Sequence, residues 1–282
     1  MRAAITIARL TTQEAARRRL LIVFALLTVL LVGLSAWGFD RLAHSRHLTS
    51  GEVAVSLPQA LILFMFMFSF VVGLSAVAIA SPTVATELES GVALSMLTRP
   101  VRRSEVLFGK WLGLAAILGG YTAAVCALEF VVVDAVSGFL PPNPAAVFGY
   151  LYAEGLVLLT LTLLMSTRLS AMTGGVLGAA CFGAAWLSGV VQALGAFFRI
   201  SALVTFGKVV RIVLPTDGLW HGAVYYLEPS PYLLQRLGEG DGAGPLPFIS
   251  TASPTPLYLV WVAVWVGLVL TTAWWSFSRR EP

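Results

Sequence analysis

Charge is scarce in this sequence. Only 11% of its 282 residues are Asp, Glu, Lys or Arg, against roughly 25% in an ordinary soluble domain. So few charges cannot cover a water-facing surface, which excludes a soluble globular protein with an oversized core. Cysteine is nearly absent as well. Cys126 and Cys181 both fall inside apolar runs, without the paired spacing of a zinc or redox motif. They are expected to be small core side chains, and no disulfide framework follows.

The motifs of chemistry are missing too. Gly109-Lys110-Trp111 and Gly207-Lys208-Val209 lack the upstream glycine and the hydroxyl of a phosphate-cradling loop. Neither a Gly-x-Ser-x-Gly elbow nor a His-Glu-x-x-His pair occurs. His44 and His47 lie three apart near Asp40 and Glu52, and are read as solvated loop side chains rather than metal ligands, while His221 stands alone. No acid, histidine and nucleophile set marks a membrane-bound enzyme. Catalytic residues, resident metals, cofactors and nucleic-acid partners are therefore not expected of this chain.

What the sequence does have is long apolar runs. Hydrophobic residues make up 58% of it, and the mean hydropathy is +0.86. Six runs meet or exceed the ~20 residues needed to cross hydrocarbon: 20–39, 57–80, 106–133, 147–166, 171–194 and 257–277. The expected fold is an all-α polytopic membrane protein, forming one transmembrane domain over 1–282. The third run is long enough to tilt or to project beyond the bilayer. Arg17 to Arg19 precede the first run, but its full-span length favours a retained helix over a cleaved signal peptide. Residues 1–19 place Arg2, Thr6, Arg9, Gln13 and Arg17 on one helical face, opposite Ala4, Ile7, Ala8, Thr11 and Ala15. This is a weakly amphipathic helix suited to the inner membrane surface.

Lysine and arginine placement orients the chain. With the N-terminus inside, the inner segments hold twelve of these residues and the outer ones six. Six spans return the C-terminus to the same side, where Arg279-Arg280 agree with the rule. The expected location is the cell (inner) membrane, with both termini cytoplasmic. Outside, 40–56 and 134–146 are short, whereas 195–256 runs to some sixty residues. Within it, 197–214 is apolar with interspersed basic residues, and predicts an interfacial or re-entrant helix ending before Pro215. Residues 228–256 are rich in glycine and proline and predict an exposed loop.

The charges that remain are concentrated. Glu87, Glu89, Arg99, Arg102, Arg103, Glu105 and Lys110 fall between two membrane-length runs, so this stretch must lie in water. Helix is expected over 83–98, stopped by Pro100. Two further acids are embedded in apolar sequence. Glu129 lies roughly 28 Å above Lys110, and Glu154 about 21 Å above Arg168, at 1.5 Å per helical residue. Ionisable groups at such depth face a cavity or a partner, which makes both candidates for a translocation path; the alternative is hydration or hydrogen bonding to neighbouring helices. Gly174-x-x-x-Gly178 and Gly175-x-x-x-Ala179 permit close helix approach, within the bundle or against a second copy.

With the charged stretch inside, the chain resembles the permease subunits of ABC-2-type transporters. It is most similar to the branch of the membrane subunit that serves copper-site maturation of nitrous oxide reductase. The resemblance rests on Glu87, Glu89 and Gly91, then Leu94 and Leu97, then Arg99-Pro100-Val101-Arg102-Arg103, then Gly109-Lys110. The N-terminal Ile7-Ala8-Arg9-Leu10 with Arg17-Arg18-Arg19, and Leu214-Pro215 followed by Leu219-Trp220, fit it as well. Val92-Ala93 departs from the threonine-leucine common in the family. The resemblance implies two permease copies, identical or related, and two separate ATPase chains that hold ATP and magnesium. It also implies that the 82–105 segment is the coupling element on which the ATPase docks. Glu87 and Glu89 would meet basic groups of the ATPase, while Arg99, Arg102 and Arg103 would anchor to lipid headgroups or acids. Export is the expected direction. Two rivals stay open: an ion-gradient-driven carrier, although neither an internal repeat nor a midplane ion pair is visible, and a permease-like chain that relays ATPase motion to an outer partner without transport.

Overall fold

The computed structural model describes residues 2–16, 19–44, 50–89, 103–228, 250 and 253–279. Among them are ten helices and no strand: α1 (Arg2–Ala16), α2 (Arg19–Ala43), α3 (Ser50–Ala80), α4 (Pro82–Glu89), α5 (Arg103–Ser137), α6 (Pro144–Ser166), α7 (Ala171–Phe197), α8 (Ser201–Val213), α9 (Thr216–Leu227) and α10 (Pro256–Ser278). Six of these, α2, α3, α5, α6, α7 and α10, are long and apolar enough to cross a membrane, in agreement with the expected six-span all-α fold.

Helices α3 and α6 form the centre. Leu61, Ile62, Met65 and Phe68 of α3 and Leu151, Leu158, Leu159 and Leu163 of α6 are almost completely buried. The local sequence sets several helix limits. Asn143 accepts a hydrogen bond from Ala146 N (3.1 Å) and Pro144 opens α6; Ser170 accepts from Thr173 N (3.3 Å) to cap α7. Small residues set the spacing between helices. A Cβ at Gly178 would lie 2.7 Å from Thr162 Oγ1 and 3.1 Å from Val77, and one at Gly175 would touch Ser81. The glycine pattern of α7 is therefore spent on packing against α3 and α6 of the same chain.

Helices α3 and α5 have 31 and 35 residues, about 46 and 52 Å of helix, which exceeds a ~30 Å hydrocarbon core. The surplus of α5 is where α1 packs. A Cβ at Gly113 would fall 2.5 Å from the Ala8 carbonyl oxygen, and Thr12 Oγ1 donates to Gly113 O at 3.4 Å. The alanine-rich face of α1 is a weak membrane anchor, but its small side chains allow this close helix approach. At the same end, Lys110 Nζ donates to Thr83 O (2.8 Å), tying the start of α4 to α5. Arg168 Nε donates to Ser276 Oγ (2.8 Å), tying the α6–α7 turn to the end of α10.

At the opposite end the chain reverses sharply. Arg199 sits at φ 55°, with Ile200 N bonded to Gly195 O (2.7 Å) and Arg199 N to Ala196 O (3.2 Å). This is a Schellman ending built around arginine where glycine is usual. It folds α8 back along α7, with Gly195 against Leu203 and Gly207 against Gln192 and the Ser188 carbonyl. Because a left-handed non-glycine residue costs roughly 1–2 kcal/mol, Arg199→Gly is expected to stabilise the protein by about 1 kcal/mol. Thermal unfolding in lipid nanodiscs checks this, and a lowered midpoint would contradict the cap assignment.

Candidate functional site

The sequence predicts one helix after the fifth span; the structure has two, α8 and α9, joined through Leu214 and Pro215. Pro215 carries no N–H and stands at the N-cap of α9, so it ends one helix and starts the next. The last carbonyls of a helix have no partner within it, and at membrane depth each would be costly to leave unpaired. Helix α10 supplies donors. Trp261 Nε1 bonds Ile212 O (3.0 Å), Trp265 Nε1 bonds Val213 O (2.8 Å), and Tyr258 Oη bonds Pro215 O (3.0 Å). Their spacing of three and four places them on one face of α10. Trp265 is nine residues into α10, about 14 Å along its axis, so the elbow sits well inside the length of that span.

Helix α9 is embedded in the bundle. Thr216 through Val224, and Leu227, are all buried. Two glycines four apart make the room. A Cβ at Gly218 would collide with the Tyr258 ring and one at Gly222 with the Tyr150 ring. The Trp220 ring lies 5.5 Å from that of Phe66 of α3, tilted by 57°.

Asp217 faces the close approach of α9 to Gly189 of α7. Its Oδ2 accepts from Arg211 Nε (3.0 Å) and Nη2 (2.7 Å), and its backbone carbonyl accepts from His221 Nδ1 (2.8 Å). Since a carbonyl can only accept, Nδ1 of His221 carries a proton. Nearby, Ser69 Oγ of α3 donates to Glu154 Oε2 of α6 (2.9 Å). Glu154 and Asp217 line one small cavity together with Ser69, Thr216, Trp186 and Trp220. Acidic side chains from two helices thus share a chamber at the base of the α8–α9 pair.

Glu154 was legible from its apolar surroundings; its neighbours were not. Asp217 and His221, four apart, with Gly218 and Gly222, also four apart, were the available signal. The Arg211–Asp217 pair spans a proline, and no local spacing rule predicts it. Glu129 does not line this chamber. It is fully buried on α5, and Ser35 Oγ of α2 donates to its Oε1 at 2.5 Å. One seam carries a second polar contact, Thr28 with Tyr121 at 2.6 Å. Of the expected docking residues, Glu87 and Glu89 lie on the last turn of α4 and Arg103 opens α5, with their side chains outside the described part. Gly91, Arg99, Pro100 and Arg102 lie outside the described residues. His44 pairs with Asp40 (3.1 Å). Among the described residues, no three His, Cys, Asp or Glu side chains converge to hold a metal ion.

Replacing Trp265 by phenylalanine keeps the ring and leaves the Val213 carbonyl unpaired inside the bundle, at an expected cost of about 1–3 kcal/mol. Trp261→Phe exposes its carbonyl at the surface, and is expected to cost less. Unfolding midpoints of the two variants, measured in parallel, check the order; equal small losses would contradict the capping role.

Residues 5–281 match the family described as ABC-2 family transporter protein. Among curated relatives, a protein named probable ABC transporter permease protein NosY from Pseudomonas aeruginosa is 27% identical, covering 98% of each chain. A second of the same name from Stutzerimonas stutzeri is 26% identical, covering 97% of each. These findings set aside the ion-gradient carrier. The chain belongs to the ABC-2 transporter family, as a multi-pass membrane permease subunit that is not itself the ATPase and works with an ABC ATPase partner.

Proposed function

We propose that this permease is a half-transporter that exports its cargo from the cytoplasmic side of the inner membrane, paired with a second permease copy. Two separate ATPase chains holding ATP and magnesium dock on the 82–105 segment, and both termini face them. The observation that carries this reading is the placement of α4. It leaves the end of α3 after a one-residue break at Ser81, and Lys110 fixes its first turn to α5 through the Thr83 carbonyl. A push on α4 would thus be delivered to two spans at once, while Val84 of α4 shares one apolar cluster with Leu107 of α5, Leu163 of α6 and Leu270 of α10. Glu87 and Glu89 would face basic groups of the ATPase. Gly91, Arg99, Pro100, Arg102 and Arg103 would complete the docking surface and its contact with lipid headgroups. Glu129 and Glu154 remain the candidates for the path, with Glu154 at the chamber.

A second reading is favoured by the outer helix pair. Because α9 is seated in the bundle and α8 is capped by α10, bundle motion would also be relayed to an outer partner without transport.

Charge reversal tests the docking. Glu87→Lys combined with Glu89→Lys is expected to remove at least about nine-tenths of the ATPase that co-purifies with the tagged permease in mild detergent, since like charges face each other across the contact. Unchanged recovery would overturn the placement of the docking site.

A further inference from the structure

The chamber between α3, α6, α7 and α9 has a volume of ≈ 10 Å³, close to the minimum that admits one water molecule. Its lining combines donors and acceptors. Thr216 is 1% exposed, and its Oγ1 has no protein partner; the same holds for the buried indole nitrogen of Trp186. Glu154 and Asp217 line the same chamber, their carboxyl groups each bonded on one side, by Ser69 and by Arg211 respectively. Two buried donors without acceptors and two carboxyl groups across a space of one molecule define a ligand with two lone pairs and two hydrogens.

We propose that this chamber is a binding site for one ordered water molecule. It accepts from Trp186 Nε1–H and Thr216 Oγ–H and donates to the carboxyl groups of Glu154 and Asp217, which gives the four partners a buried water can use. A bare cation fits less well, because the lining includes two buried groups that need an acceptor, Trp186 Nε1–H and Thr216 Oγ–H, and the Arg211 guanidinium already pairs with Asp217. The water completes a hydrogen-bonded chain from Ser69 on α3 through Glu154 to Asp217 and Arg211, whose side chain is 27% exposed. It also separates two carboxyl groups that would repel in direct contact. The base of α9 is thereby joined to α3 and α6 through a link that can be broken and re-formed as the outer pair moves.

Radiolytic labelling by X-ray pulses tests the site, using the full-length permease with its ATPase in nanodiscs and water enriched in oxygen-18. Phe182 lines the chamber, whereas Phe68 is similarly buried but does not. An ordered water beside Phe182 is expected to raise its labelling at least about fivefold over Phe68, with oxygen-18 entering more slowly than at exposed Phe198. Thr216→Val removes one of the four partners at nearly constant volume, and is expected to lower Phe182 labelling by about threefold or more. Equal labelling of Phe182 and Phe68 in the unmodified chain would overturn the proposal, whether or not the variant assembles. So would protection of Phe182 by sodium chloride but not by choline chloride, which would assign the chamber to a cation.

Discussion

A backbone carbonyl inside a bilayer must find a donor, and no water is there to supply one. The chain breaks its helix at Leu214 and Pro215 within the length of a membrane span, which leaves the last carbonyls of α8 without intrahelical partners. Trp261 and Trp265 meet that demand from α10, and Tyr258 on the same face bonds the Pro215 carbonyl at the start of α9. Much of the outer half follows from this contact. It holds α8 and α9 at depth, which brings Gly218 and Gly222 against the tyrosines of α10 and α6 and places Asp217 where Arg211 can pair with it.

The two ends of the molecule are built differently, for a physical reason. On the α4 side the joints are made at helix ends: Lys110 to the Thr83 carbonyl, Arg168 to Ser276, and the backbone of α1 pressed on Gly113. These are short-range contacts between helix ends. At the opposite end the joint is a helix pair, α8 and α9, wedged among α3, α6, α7 and α10, with polar groups at its base. Helix α3 touches both, carrying Ser69 at the chamber and leading into α4 about 18 Å further along its axis. One helix, α3, thus runs from the chamber at Glu154 to the start of α4, the segment proposed for ATPase docking.

How much was legible depended on whether the signal was local. The six spans were readable because twenty consecutive apolar residues have few other uses. Glu154 stood out because an acid in an apolar span needs a partner, but that partner, Ser69, is one serine among many, and Asp217, which lines the same chamber, lay in a segment whose glycines and proline resemble a loop. Those glycines in fact admit aromatic rings from other helices, which no windowed pattern reports. Glu129 was equally visible, and its partner Ser35 was not, because a serine in an apolar span carries no mark of which neighbour it faces. The alanine-rich face of α1 read as a feeble apolar surface, since hydrophobicity does not measure how closely two backbones can approach.

The sequence by itself determined that this chain lives in a membrane, crosses it six times, and carries no nucleotide-binding loop of its own. Apolar length, charge placement and the order of its central motif suffice for that, because the bilayer imposes the same demand on every residue of a span. Only the tertiary structure decided that residues 216–227 form a buried helix, that α10 caps the elbow before it, and that Glu154 and Asp217 share one chamber. Those outcomes rest on contacts between residues far apart in the sequence, whose free energy depends on how closely helices pack rather than on any residue taken alone.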